Sequence, residues 1–157
     1  MWDGQHGPKA TIQAAIDQAS FYDHDLVLLA PGRYNGQGNC DIDFMGKALS
    51  DRYIHARNPA LVALTVVDCM GREGDPHRGF IFNSGETDDS ILRGISIVGG
   101  KVADKGGAIK CDIGSSPTIV NCNISQNESS GYGGGIYCGS YCNPLILECL
   151  IEGNIAE

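Results

Sequence analysis

Read for apolar spacing, the second half of the chain falls into three tracts that superpose without a gap. They are GFIFNSGETDDSILRGISIVGG (79–100), GGAIKCDIGSSPTIVNCNISQN (106–127) and GGGIYCGSYCNPLILECLIEGN (133–154), each offset by 27 residues from the next. Apolar residues align as Phe82/Ile109/Ile136, Leu92/Ile119/Ile146, Ile95/Cys122/Cys149 and Ile97/Ile124/Ile151. A small-residue column, Ser84/Cys111/Cys138, and turn columns, Ser90/Pro117/Pro144 and Gly100/Asn127/Asn154, accompany them. Within a tract the apolar positions alternate by two, which is the strand period. No such short strand buries its apolar face alone, so the tracts must stack, each strand pairing in parallel with its equivalent.

Upstream, an offset of 28 places Ile54 under Phe82, Leu64 under Leu92, Val67 under Ile95 and Cys69 under Ile97. A further offset of 25 places Leu29 under Ile54, Ile42 under Val67 and Phe44 under Cys69. The start of the chain has a different period. Ile12, Ala15, Ile16 and Ala19 form one helical stripe with Thr11 as N-cap, followed by a buried strand over Asp25–Ala30 and a Pro31-Gly32 turn. A solenoid needs its open end covered, and a helix over 9–20 suits that role. The expected fold is therefore all-β: a right-handed parallel β-helix of about five coils with an N-terminal capping α-helix. It forms one domain over 1–157, with coils at roughly 26–50, 51–78, 79–105, 106–132 and 133–157. The last repeat stops after 25 residues with no cap, so the chain reads as an N-terminal fragment, and its uncapped coil is expected to associate end to end.

Composition agrees with a chain of strands and turns. Glycine occurs 22 times in 157 residues, about twice its usual share, without a collagen period. A formal charge of −8 argues against nucleic acid as partner, and no apolar run is long enough to span a membrane. Seven cysteines, an odd number, do not make a fully paired disulfide framework, and stacked thiols in a narrow interior behave as small hydrophobes. Zinc is not expected, because Cys138 and Cys142 are one pair and the histidines at 6, 24, 55 and 77 are scattered over other turns.

The segments TIQAAID, DLVLLAPGRY, NCDIDFMGKAL, the GG-[AG]-I turns and SPTIVNCNIS resemble bacterial right-handed parallel β-helix repeat proteins of the pectin-lyase-like fold. The GGAI and GGGI turns are also similar to repeats of polymorphic outer-membrane proteins. The resemblance covers nearly the whole chain and implies an exported or surface-associated location. It leaves function open, since this fold hosts lyases, hydrolases, adhesins and scaffolds. The acid and arginine motifs of the resembling enzymes have no counterpart here, so no catalytic residue is assigned.

Two groups of residues could carry binding. Asp41 and Asp43 alternate with the apolar Ile42 and Phe44, a spacing that suits calcium and also an ordinary solvated strand; no other cofactor is expected. His55, Asn83, Lys110 and Tyr137 each follow an inward position, with Arg57 and Asp112 two residues further on, so they are expected to form one outward row. An aromatic ring beside charged and amide groups suits a polysaccharide or cell-surface glycan. The function expected is a non-catalytic module that binds glycan or a protein partner along one β-face. The alternative is a polysaccharide lyase or glycoside hydrolase whose catalytic coils are weakly marked or lie beyond residue 157.

Overall fold

The computed structural model describes residues 8–21, 25–49 and 58–157, and it is a parallel β-solenoid. Its regular part is three complete four-sided turns. The first comprises β4 (Phe80–Phe82), β5 (Ile91–Arg93), β6 (Ser96–Val98) and β7 (Lys101–Val102). The second comprises β8 (Ile109–Cys111), β9 (Thr118–Val120), β10 (Asn123–Ser125) and β11 (Glu128–Ser129). The third comprises β12 (Ile136–Cys138), β13 (Leu145–Leu147), β14 (Leu150–Glu152) and β15 (Ile155–Ala156). Every strand pairs in parallel with its equivalents, as in Ile119↔Ile146 and Ile97↔Ile124↔Ile151.

There are about three turns rather than five. Among the described residues, the two expected coils before residue 79 supply β1 (Gly32–Tyr34), β2 (Ile42–Asp43) and β3 (Thr65–Asp68). β1 and β3 extend the β6–β10–β14 sheet, and β2 extends the β4–β8–β12 sheet. Between β2 and β3 the chain forms a short helix, α2 (Pro59–Val62), whose first turn Asn58 caps and Pro59 opens. The expected strand at 25–30 is absent: Leu26 and Leu28 are exposed there, and the strand begins only at Gly32. Ile54 lies outside the described residues.

The upstream registers also differ from the expected ones. Val67 pairs with Ile97 and Tyr34 with Val67, while Ile42 pairs with Phe80 on a different face. A smaller slip occurs at β4, where Phe80 pairs with Ile109 and Phe82 with Cys111. The loop from Phe82 to Ile91 is longer than its counterparts, so the 27-residue offset that holds for β5, β6 and β7 fails on this one side.

Corners explain the glycine content. Each side ends at a residue with positive φ: Gly85, Gly114 and Tyr141 after the β4 side, Gly94, Asn121 and Glu148 after the β5 side, Gly99, Gln126 and Gly153 after the β6 side, and Gly106 and Gly133 before the next turn. The GG turns carry a further constraint. A Cβ on Gly107 would lie 2.2 Å from the carbonyl oxygen of Gly134, and one on Gly134 would lie 2.2 Å from that of Ile155, so neighbouring rungs approach too closely for any side chain. Asn127 secures the β6-side corner as a ladder. Its Oδ1 accepts from Gly100 N–H at 2.9 Å, its Nδ2 donates to Ile97 C=O at 3.1 Å, and its own N–H donates to Asn154 Oδ1 at 3.0 Å.

Helix α1 (Ile12–Gln18) closes the first end. Thr11 Oγ1 caps it, accepting from Ala14 N–H at 3.2 Å, and Ile12 and Ile16 enter the core. Gln13 completes the edge of β2: its Oε1 accepts from Asp43 N–H at 2.9 Å and its Nε2 donates to Asp43 C=O at 3.0 Å. Lys47, almost fully buried, donates to the C-terminal carbonyls of Ile16 and Asp17 at 2.7 and 3.0 Å. A cation there complements the helix dipole.

The opposite end has no such cover among the described residues. Ile151, in the same column as the fully buried Ile97 and Ile124, is 47% exposed. The column therefore yields an internal comparison. Ile124→Ala should cost about 2–4 kcal/mol in a urea unfolding titration, whereas Ile151→Ala should cost about 1 kcal/mol or less. Equal losses at the two positions would contradict the stacking order.

Candidate functional site

The outer surface of the β2–β4–β8–β12 sheet is the candidate site. Each of these strands turns its flanking residues inward, and the residue between them forms a row along the outside: Asp43, Ile81, Lys110, Tyr137. Lys110 and Tyr137 are thus neighbours on adjacent rungs. Asn83 is not in their row; Ile81 occupies the place, and Asn83 lies beyond the end of β4 with its Oδ1 3.2 Å from Ser84 Oγ. His55 and Arg57 lie outside the described residues.

Charged side chains surround Lys110. Its Nζ lies 3.2 Å from Asp104 Oδ2 and 3.8 Å from Asp112 Oδ2. Asp104 is also paired with Arg78, whose guanidinium donates to the carbonyls of Lys105 and Gly106. Lys105 Nζ sits 4.7 Å from the Tyr137 ring centroid, 3.2 Å from its hydroxyl oxygen, and 5.6 Å from the ring of the exposed Tyr132. The result is a patch of three cations and two carboxylates beside a tyrosine pair.

The protonation of the patch follows from these contacts. Burial alone would raise the Asp104 carboxyl, but the Arg78 guanidinium and Lys110 outweigh it and hold the group below the usual carboxylate range. The Tyr137 hydroxyl beside Lys105 raises that ammonium above its ordinary value. A carboxylate held down in this way accepts hydrogen bonds and is poorly suited to donating a proton as a general acid. Residue spacing pointed to Lys110, Asp112 and Tyr137 but missed Arg78, Asp104, Lys105 and Tyr132. Their one signal was position: Lys105 and Tyr132 directly precede the GG turns and are themselves 27 residues apart.

Asp41 and Asp43 have separate partners. Asp41 has positive φ at the corner entering β2; its Oδ2 lies 2.6 Å from His77 Nδ1, and its Oδ1 accepts from Arg78 N–H at 3.0 Å. Asp43 Oδ1 accepts from Met45 N–H at 2.7 Å. Cys40 adjoins Asp41, and one donor atom from each of Cys40, Asp41 and His77 lies within 4.8 Å of the others. The hydrogen bond to Asp41 raises His77 above an ordinary imidazole, against a lesser lowering by burial. Burial, aided by the Asp41 and Asp75 charges, raises the Cys40 thiol.

All seven cysteines are free thiols; Cys40, Cys69, Cys111 and Cys122 are buried, and Cys138 is exposed on the last turn. No helix among the described residues is long and apolar enough to cross a membrane. No family model, curated protein or solved structure matches the chain.

The Asp104 ion pairs give a pH test. A carboxyl lowered in the folded state contributes stability above its unfolded value, about 3.9, and loses it as pH falls below that value. Asp104→Asn should therefore reduce the loss of urea midpoint between about pH 7 and about pH 3. An identical pH profile in the variant would show that the pairs contribute nothing.

Proposed function

We propose that the chain is a non-catalytic module that binds glycan along the outer face of the β2–β4–β8–β12 sheet. The observation that carries this reading is the placement of Tyr137 beside Lys110 on adjacent rungs, with Lys105, Asp104 and Asp112 around them. The ring offers an apolar surface for the C–H face of a sugar. The ammonium groups and carboxylates offer both donors and acceptors for its hydroxyls. The patch sets three cations against two carboxylates, so a neutral or mildly acidic sugar suits it better than a strongly charged one. A lyase or hydrolase is the weaker reading, since its chemistry needs a proton donor or a free base, and the Asp104 carboxylate is held by two cations.

The pectin-lyase-like form of the solenoid, and an exported or surface-associated location, belong to the same proposal and rest on the resemblance of the repeats. Against a glycan array followed by titration of any hit, Tyr137→Ala should weaken binding by about 1–2 kcal/mol, roughly five- to thirtyfold. Lys110→Ala should weaken the same hits. Retained affinity in both variants, or an array without a hit, would overturn the reading.

We further propose that residues 1–157 on their own associate end to end. Leu145, Leu147, Leu150 and Ile155 are each more than 40% exposed on the last turn, whose strand edges have no partner among the described residues. Light scattering should show apparent mass rising with concentration, and Ile151→Lys should suppress the rise. A constant monomer mass over a wide range would contradict it.

A further inference from the structure

A second site lies on the corner that leads into β2. Cys40 Sγ, an Asp41 carboxylate oxygen and a His77 ring nitrogen converge within 4.8 Å of one another. One soft sulfur, one imidazole and one hard oxygen make a donor set that fits zinc better than calcium, which takes oxygen ligands almost alone. From this convergence we propose that Cys40, Asp41 and His77 bind a zinc-type divalent cation, with the fourth position left to water or an exogenous ligand.

Four features of the surroundings support the assignment. The ligands stand on fixed backbone: Asp41 N–H donates to Arg78 C=O at 2.7 Å, and His77 exchanges N–H···O=C bonds with Lys101 at 3.0 and 2.9 Å. His77 Nδ1 faces Asp41, while Nε2 lies 3.2 Å from Asp75 Oδ1. A carboxylate on the far nitrogen is the arrangement that orients metal-bound histidines and fixes their tautomer. Access is also available, since the side chains of His77 and Asp41 are 31% and 39% exposed while Cys40 is buried behind them. Charge favours a cation as well. Asp41 and Asp75 both approach His77, Asp75 also pairing with Arg72 through its other oxygen, and Cys40 adds a further negative charge when it binds the ion as thiolate, releasing its proton to solvent.

The site does not follow from the 27-residue repeat. It exists because Ile42 pairs with Phe80, which brings a cysteine and a histidine 37 residues apart to one corner.

The test is titration of the full chain with zinc under reducing conditions, and with cobalt(II) as the spectroscopic stand-in. Cys138→Ser/Cys142→Ser/Cys149→Ser serves as background, to remove the more accessible thiols. One ion per chain should bind, and cobalt should give a thiolate charge-transfer band with the intense visible bands of tetrahedral coordination. Cys40→Ser should abolish the charge-transfer band. His77→Gln should weaken zinc binding by about a hundredfold or more while leaving a sulfur-to-cobalt band at high cobalt. Asp75→Asn, which touches no metal, should weaken binding by about 10- to 100-fold with an unchanged spectrum. Zinc should raise the melting temperature of the parent and not that of His77→Gln, whose partly exposed position keeps the comparison available should Cys40→Ser fold poorly. An octahedral cobalt spectrum without sulfur character, or zinc affinity unchanged by His77→Gln, would overturn the proposal.

Discussion

The structure depends on closing each turn with left-handed corners placed at the same point on every rung. A flat strand cannot turn a corner this sharp with right-handed or extended backbone, so the corners adopt positive φ at one residue, or at two in succession as at Ile113 and Gly114. Where glycine is present the conformation carries no side-chain penalty. Asn121, Gln126, Tyr141 and Glu148 adopt it with a Cβ, at about 1–2 kcal/mol each. These residues are tolerated because the strands on either side are already fixed by pairing above and below. Corner and ladder are thus mutually dependent: a corner shifted by one residue would turn every following side chain to the opposite face.

The same dependence sets where stability lies. Rungs with neighbours on both sides bury their columns fully, as Ile97, Ile109, Ile119 and Ile124 do. The two ends are treated differently. At the first end, Gln13 supplies side-chain hydrogen bonds to the β2 edge, and Lys47 ties helix α1 down from within the core. At the last turn the equivalent leucines and isoleucines are exposed at the open end, with no comparable cover among the described residues. Both proposed sites sit on the sheet whose first strand α1 covers, and both are built from residues whose backbone the ladder holds in place.

What the sequence revealed follows from that geometry. Three complete four-sided turns repeat every strand and corner, so a constant offset exposes the solenoid, the buried columns and the adjacency of Lys110 and Tyr137. Before residue 79 the described residues do not form complete four-sided turns. α2 and the helix cap replace strands, and the spacing between paired residues differs from one side to the next, so no single offset describes them. Ile42 illustrates the difficulty: an apolar residue in a strand-like context fits the Val67 column as well as the Phe80 column, and only the path of the chain decides. Asn83 was misplaced for a related reason. The longer loop after β4 shifts that one side of the turn while leaving the others in register, and its GETDD residues carry no periodicity that would reveal the shift. The Cys40–Asp41–His77 convergence was invisible for the same cause, since it is created by the pairing of β2 with β4.

That pairing is therefore the claim on which the cation site turns, as the β8–β12 pairing carries the tyrosine patch. Scalar couplings across hydrogen bonds, measured by NMR on isotope-labelled protein, report donor and acceptor directly. The structure has Ile42 N–H donating to Gly79 C=O at 2.9 Å, beside Asn123 N–H to Ile95 C=O at 3.0 Å in the regular turns. Couplings from Ile42 N to Gly79 C′ and from Asn123 N to Ile95 C′ are predicted. A coupling from Ile42 N to a carbonyl in the Thr65–Asp68 strand would contradict the register, and with it the placement of Asp43 and of Cys40 and Asp41 against His77.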